Sequence, residues 1–162
     1  AQCNASLKLT QMGLDVDRQL CARNVERIVA QAAEFGNFIR IDMEASDYTQ
    51  VTLDIFGELF ARHQNVGVVI QAYLYRSEAD IHALNKLGAR VRLCKGAYNE
   101  PASVAFAEKA DTDNNFVKLM QILLSEGNYP GIATHDEKMI EATRSYASQR
   151  GIPTDRFEFP TL

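Results

Sequence analysis

The sequence has little of several features, and the scarcity of cysteines and of long apolar runs excludes some classes of protein. It contains no tryptophan, three cysteines and four prolines among 162 residues. The three cysteines have no C-x-x-C spacing, which argues against a disulfide framework or a zinc site and favours a reducing, cytoplasmic compartment. No apolar run approaches the roughly 18 residues that a membrane-spanning helix requires, and no signal peptide is visible.

An excess of charge of one sign is also lacking. The formal net charge is -4, and acidic and basic residues are interspersed along the chain. Without a basic run or an aromatic–basic patch, nucleic acid is not an expected partner. Hydrophobic residues make up 46% of the chain, enough to bury one sizeable core. No Gly/Ser/Pro-rich linker divides the sequence, so we expect a single domain over residues 1–162.

The sequence does contain a repeated alternation of short apolar runs and amphipathic segments. Apolar runs with little polar alternation are typical of strands covered on both faces, and apolar residues at helical spacing predict helices between them. Strands are predicted at Ala5–Leu9, Phe38–Met43, Val66–Tyr73, Ala89–Leu93, Gly131–Ala133 and Phe157–Phe159. Helices are predicted at Asp17–Phe35, Asp47–His63, Ser77–Leu87, Pro101–Lys109, Asn114–Ser125 and Glu137–Gln149. Asp47 is a candidate N-cap, and Ser77 to Asp80 resembles a capping box.

Glycines after four predicted helices indicate where those helices end. Gly36, Gly88, Gly127 and Gly151 are each expected in a left-handed conformation that stops the helix. Buried parallel strands that alternate with helices form either an open doubly wound sheet or a β/α barrel. The open sheet usually carries a glycine-rich phosphate loop, and this sequence has no G-x-G. We therefore predict an α/β fold, a (β/α)8 TIM-like barrel, of which the chain supplies about the first six strands.

Polar side chains follow the predicted strands, at the end where such barrels place their active sites. Charged groups beside buried strands are costly unless they are paired or used. Lys8, Arg92 and Lys95 predict a cationic pocket for a carboxylate or phosphate, and Asp42 could hold an ammonium group or orient Arg92. The polar residues at these strand ends are Lys8, Asp42, Glu44, Gln71, Arg92, Lys95, Thr134, His135 and Glu158. They predict an amino-acid-like or phosphorylated ligand.

Other interpretations stay open on the residues alone. Asp42, Glu44 and His135 could bind a metal ion in a barrel hydrolase. Lys8 or Lys95 could form a Schiff base in an aldolase. A half-barrel fragment without catalysis is the third alternative.

Two features also fit a purely structural role. A buried Asp42–Arg92 pair and a core His135 occur in proteins without any site there. The acidic segment Asp111–Asp113 predicts only a solvated helix start.

Six segments, in order along the chain, resemble the flavin-dependent proline dehydrogenase family, most closely its smaller monofunctional bacterial members. The chain is identified as an incomplete piece of that family's catalytic barrel. The segments are Ser6–Thr10, Ile39–Glu44, Val69–Tyr75, Val91–Tyr98, Ile132–Asp136 and Phe157–Phe159.

The resemblance implies oxidation of L-proline to Δ1-pyrroline-5-carboxylate by hydride transfer to FAD, with a membrane quinone as electron acceptor. It implies a cytoplasmic protein with peripheral contact at the inner membrane. It assigns catalysis to Asp42 and Arg92, substrate binding to Lys8, Tyr98 and Leu162, and no metal. It assigns cofactor binding to Met43, Gln71, Arg92, Lys95, Gly96, Ala97, Thr134 and His135. The family's paired arginines, which bind the substrate carboxylate, fall after residue 162, so this chain alone is expected to show little turnover.

Overall fold

The computed structural model describes residues 4–160. In that range strands and α-helices alternate along the chain, as the sequence predicts. The strands are β1 (Asn4–Leu7), β2 (Phe38–Ile41), β3 (Val66–Gln71), β4 (Val91–Cys94) and β5 (Gly131–Ile132). The helices are α1 (Arg18–Glu34), α2 (Ser46–Phe60), α3 (Ser77–Leu87), α4 (Lys109–Glu126) and α5 (Glu137–Gln149), with short 3-10 turns at Thr10–Met12 and Thr154–Arg156. Among the described helices, none is long and apolar enough to cross a membrane.

The described residues form two compact units, with the boundary inside β3. Unit 1 comprises residues 4–69 and unit 2 comprises residues 70–160. The prediction of a single domain over residues 1–162 stays a prediction.

In unit 1, three parallel strands lie beside two helices. Leu7 of β1 pairs with Ile41 of β2, and Ile41 pairs with Val68 of β3. In α1, Val25 and Val29 are one helical turn apart and fully buried, so they form the stripe that faces the core. Burial of each such side chain stabilises the fold by roughly 1.5–3 kcal/mol. The α2 residues in this core are Ile55, Phe56 and Leu59.

In unit 2, the chain leaving β3 runs parallel to the end of β4, and β4 pairs with β5. The Ala72 N–H donates to the Cys94 carbonyl at 2.7 Å, and Arg92 pairs in register with Gly131. One face of α4 is buried without exception, and the residues on it are Phe116, Leu119, Met120 and Leu123. The carboxyl ends of all three strands therefore meet at one sheet edge of this unit.

The sixth predicted strand and one predicted helix are absent from the described part of the chain. Phe157–Phe159 forms only a parallel bridge between Glu158 and Gly131. The predicted helix Pro101–Lys109 is wrong, because this segment donates and accepts backbone hydrogen bonds with the chain after β3. The Tyr75 N–H donates to the Val104 carbonyl at 3.0 Å, and Ala105 packs into a small buried cluster. Tertiary contacts override the local helical pattern here.

The predicted caps of two helices are also wrong. The N-cap of α2 is Ala45 rather than Asp47. Ser77 makes no capping bond; its hydroxyl donates instead to the carbonyl of Gln71 at 2.5 Å. That carbonyl lies at the end of β3, so this hydrogen bond links the start of α3 to the end of the strand.

Three of the four predicted left-handed glycines are confirmed. Gly36, Gly88 and Gly151 have φ of 66°, 73° and 63°. Gly127 has φ of -83°, so that prediction is wrong. A glycine is needed there for space, because a Cβ would lie 2.5 Å from the carbonyl oxygen of Leu123.

Candidate active site

The predicted substrate residues of unit 1 lie at neighbouring strand ends. Lys8 follows β1 and Asp42 follows β2, and both are partly buried. The Asp42 N–H donates to the carbonyl of Leu7 at 2.8 Å, which extends the pairing of the two strands. Met43, the next residue, is buried with 6% exposure. The backbone thus places one basic and one acidic residue at the same edge of the sheet.

Glu44 has a structural role in unit 1. Its carboxylate is buried and accepts hydrogen bonds from the Thr10 N–H at 3.1 Å and the Thr10 hydroxyl at 2.6 Å. Both carboxylate oxygens are therefore engaged in fixing the turn after β1. Across residues 4–160, no three His, Cys, Asp or Glu side chains form a group that could hold a metal ion. This arrangement does not favour the metal-dependent hydrolase.

Gln71, at the end of β3, carries an unsatisfied polar atom in unit 2. Its side chain is 3% exposed, and Oε1 has no hydrogen-bond partner among the described residues. Leaving a buried acceptor unpaired costs roughly 1–3 kcal/mol, and such atoms in native proteins call for an explanation. A ligand that donates a hydrogen bond at this position would supply one.

The turn after β4 depends on Gly96. Its φ is 110°, and a Cβ at this position would overlap the ring of Tyr73. The family resemblance assigns Gly96 to cofactor binding; within unit 2 its close neighbour is the tyrosine ring. Tyr73 is buried and donates its hydroxyl to Glu100 at 3.4 Å. Burial and the nearby Glu100 carboxylate raise the pKa of the Tyr73 phenol, so the ring stays neutral.

Lys95 lies in an ion cluster that the sequence did not predict. Its ammonium is 2.5 Å from Asp113 Oδ1 and 2.7 Å from Asp136 Oδ2. Lys109 also pairs with Asp113, one turn along α4. The predicted solvated role of Asp113 is therefore wrong, because its side chain is only 21% exposed and contacts Lys95. We call Lys95, Lys109, Asp113 and Asp136 the Lys95 cluster.

Three members of the cluster, Lys95, Asp113 and Asp136, have shifted pKa values, and each shift favours the charged form. Hydrogen bonds from Lys95 and from the Lys138 N–H lower the pKa of Asp136 to about 2. Burial opposes the charge of Asp113, but Lys109 and Lys95 outweigh it and the pKa of Asp113 is lowered. Burial likewise acts to lower the pKa of Lys95, and the hydrogen bonds to the two carboxylates raise it overall. A permanently protonated amine is a poor nucleophile, which argues against a Schiff base at Lys95.

The depressed pKa of Asp136 predicts a loss of stability in acid. The carboxyl has an ordinary pKa of 3.8 and a folded pKa of about 2. Its contribution is therefore complete above about pH 4 and is lost as the pH falls towards 2. We expect Asp136→Asn, which keeps an N-cap acceptor, to have a lower urea midpoint than the wild type at pH 7. The difference should disappear near pH 2; a difference that persists there would contradict the assignment.

The remaining predicted residues of unit 2 differ in exposure. Arg92 and Thr134 are partly buried, and the Thr134 hydroxyl accepts a hydrogen bond from the Asp136 N–H at 3.1 Å. Ala97, Tyr98 and His135 are exposed. Leu162, a predicted substrate residue, lies outside the described residues.

Sequence reasoning missed two side chains that support this site. Asp113 is one, and Asn115 is the other: its Nδ2 donates to the carbonyl of Ala72 at 2.7 Å. That bond anchors the chain just after Gln71 to the first turns of α4. The only sequence signal for either residue was the i, i+4 spacing of Lys109 and Asp113, which is common on solvated helices.

Parallel strands alternating with helices, with polar groups gathered where the strands end, define a β/α protein with its site at the carboxyl ends of the strands. The family model of proline dehydrogenase matches residues 1–162. Proline dehydrogenase 2 of Bacillus subtilis (strain 168) is 45% identical over 98% of this chain and 52% of its own length. Proline dehydrogenase of Deinococcus radiodurans is 43% identical over 97% of this chain and 52% of its own length.

The chain belongs to the proline dehydrogenase family, and it spans about half the length of the curated relatives it matches. The bifunctional protein PutA of Escherichia coli is less similar, with 30% identity over 81% of this chain and 12% of its own length. This order confirms the predicted similarity to the smaller family members.

Solved structures confirm the fold class. The structure of proline utilization A from Bdellovibrio bacteriovorus, inactivated by N-propargylglycine, superposes with a TM-score of 0.83 and 28% identity. The match covers 95% of this chain and 19% of that protein. The prediction of an α/β fold of the β/α-barrel type is confirmed.

Proposed function

We propose that the protein carrying this sequence oxidises L-proline to Δ1-pyrroline-5-carboxylate and uses FAD as the electron acceptor. The reaction removes two electrons and two protons from proline, and a membrane quinone would reoxidise the reduced cofactor. The family match and the relatives named as proline dehydrogenases support this proposal. The structural observation that carries it is the unpaired Oε1 of Gln71 at the end of β3.

The residues of unit 2 fit the flavin part of FAD. The flavin ring system carries one ring N–H donor and two carbonyl acceptors, which complement the acceptor and donor of a primary amide. Gln71 Oε1 is buried and lacks such a donor within the described structure. Lys95–Ala97 and Thr134–His135 end the two following strands, at the same sheet edge. We propose that these residues of unit 2 hold the cofactor, which supplies the two-electron acceptor that amino acid side chains lack.

The charges of unit 1 fit the substrate. Proline is a zwitterion with a carboxylate and a secondary ammonium group. Lys8 and Asp42 offer one charge of each sign at adjacent strand ends. We propose that Lys8 pairs with the substrate carboxylate and that Asp42 organises the amine side.

Two residues of unit 2 complete the proposed assignment. Arg92 supplies a fixed positive charge, which stabilises negative charge that develops when the cofactor is reduced. Tyr98, which is 38% exposed, would border the proline ring. The proposed site is cytoplasmic, and peripheral contact with the membrane would give the quinone access.

The absorbance spectrum of the purified natural full-length protein tests this proposal. We expect a flavin band that bleaches when L-proline is added without oxygen, together with formation of Δ1-pyrroline-5-carboxylate. D-proline serves as the control and should leave the band unchanged. A flavin-loaded protein that is not reduced by L-proline would contradict the proposal.

A further inference from the structure

The Lys95 cluster connects the two segments of unit 2 that we propose to contact the cofactor. Lys95 begins the turn after β4, and Asp136 is the N-cap of α5, directly after His135. The Lys95 ammonium is 2.7 Å from Asp136, although the two residues are 41 positions apart in sequence. Asp113, in the first turns of α4, contacts the same ammonium at 2.5 Å.

Asp136 also makes hydrogen bonds with residues of its own loop. One carboxylate oxygen binds Lys95, and the other accepts a hydrogen bond from the Lys138 N–H at 3.0 Å. Its backbone N–H donates to the Thr134 hydroxyl at 3.1 Å. The orientation of the Thr134–His135 segment is thus linked to the position of the Lys95 ammonium.

The charges around Lys95 determine what kind of ligand atom its ammonium group can bind. The cluster contains two ammonium groups and two carboxylates, so its net charge is zero. An ammonium group has three N–H donors, and the two aspartates use two of them. One donor is left, and two carboxylates lie beside it. Because the charges of the cluster cancel, it offers a phosphate no net attraction, whereas a hydrogen bond to an uncharged oxygen does not require one.

We propose that Asp113 and Asp136 are positioning residues that hold Lys95 so that its remaining N–H meets an uncharged flavin oxygen, in the ring or the ribityl chain, rather than a phosphate. This inference rests on the proposed function, since it requires a flavin site in unit 2. It assigns the two aspartates a role that acts through Lys95.

Binding of FAD and of riboflavin to the flavin-free protein tests the proposal. Riboflavin keeps the ring and the ribityl chain but has no phosphate. We expect Asp113→Asn and Asp136→Asn to weaken both ligands by a similar factor, roughly tenfold in Kd, because both lose the same aligned donor. The matched control is Glu78→Gln, which removes the carboxylate of the exposed Lys118–Glu78 pair at 2.6 Å and should change neither Kd.

Tighter binding of FAD by the two aspartate variants would overturn the proposal. If Lys95 anchored a phosphate and the aspartates merely competed for it, the same variants would bind FAD more tightly and riboflavin unchanged. Unchanged affinity for both ligands would also overturn it.

Hydrogen exchange of the flavin-free protein separates this inference from the proposed function. We expect both asparagine variants to exchange faster than the wild type at residues 95–98 and 134–138, and Glu78→Gln to exchange as the wild type does. Unchanged exchange would overturn the link between the two segments. If exchange responds as expected while the wild type binds no flavin, the link stands and the flavin assignment fails together with the proposed function.

Discussion

Replacing Gly96 with alanine should lower the free energy of unfolding by roughly 2–6 kcal/mol and abolish tight FAD binding. At φ of 110° an L-residue is strained, at a cost of order 1–3 kcal/mol. The added methyl group would also overlap the buried ring of Tyr73, and overpacking of this kind typically costs about 1–3 kcal/mol. The turn that carries Lys95 must move to relieve both effects, so the proposed cofactor site should be lost with it.

Two other glycines separate strain from overlap. Gly88 has φ of 73° with open space where a methyl group would lie, so Gly88→Ala should cost only about 1–2 kcal/mol. Gly57 lies inside α2, also with open space, and Gly57→Ala should stabilise the helix by up to about 1 kcal/mol. Urea midpoints should therefore fall in the order Gly57→Ala, wild type, Gly88→Ala, Gly96→Ala. Equal midpoints for Gly88→Ala and Gly96→Ala would show that the Tyr73 ring moves away and relieves the overlap with the added methyl group.

The regular part of the fold could be predicted because its signals are local. The bounds of α3 and α5 were predicted to the residue, since helical periodicity and a following glycine mark each of them. Strands β2 and β3 were recognisable as apolar runs, and every residue of both is buried. The prediction of burial on both faces is wrong for β1, whose first three residues are exposed. In both cases neighbouring residues carry the whole pattern.

The wrong predictions concern residues whose hydrogen-bond or ionic partners are distant in sequence. The hydroxyl of Ser77 bonds the end of β3 instead of its own helix, and the segment after Pro101 bonds the chain beyond β3. Asp113 contacts Lys95 across 18 positions of sequence. A capping pattern or an acidic helix start reads the same in sequence whether or not such a partner exists.

The candidate site shows the same division. Resemblance to a family assigned Gln71 and Lys95 to a cofactor, but it could not say what each side chain does in the folded chain. The structure shows Gln71 with an acceptor left unpaired and Lys95 with two carboxylates beside it. The first observation supports the assignment, and the second is the basis of our proposal that Lys95 meets an uncharged flavin oxygen.

Replacing Gln71 with methionine should have opposite effects on stability and on cofactor binding. Methionine has a similar length and an apolar, adaptable side chain, so it removes the unpaired buried Oε1 without opening a cavity. We expect the flavin-free protein to gain about 1 kcal/mol in free energy of unfolding, because an unsatisfied acceptor is no longer buried. Affinity for FAD should fall at least roughly tenfold, since the amide partner of the ring is lost. Urea unfolding and fluorescence titration measure the two effects.

Thr52→Val is the matched control for that experiment. Thr52 lies in α2 with 1% exposure, and its hydroxyl also has no partner within residues 4–160. Valine has nearly the same shape, so this variant should gain stability by the same mechanism and bind FAD as the wild type does. Stabilisation in both variants with loss of FAD binding only in Gln71→Met would identify the unpaired amide as one kept for a ligand. Gln71→Met with wild-type affinity would remove Gln71 from the cofactor site, and a loss of stability would show that a bound water satisfies the amide.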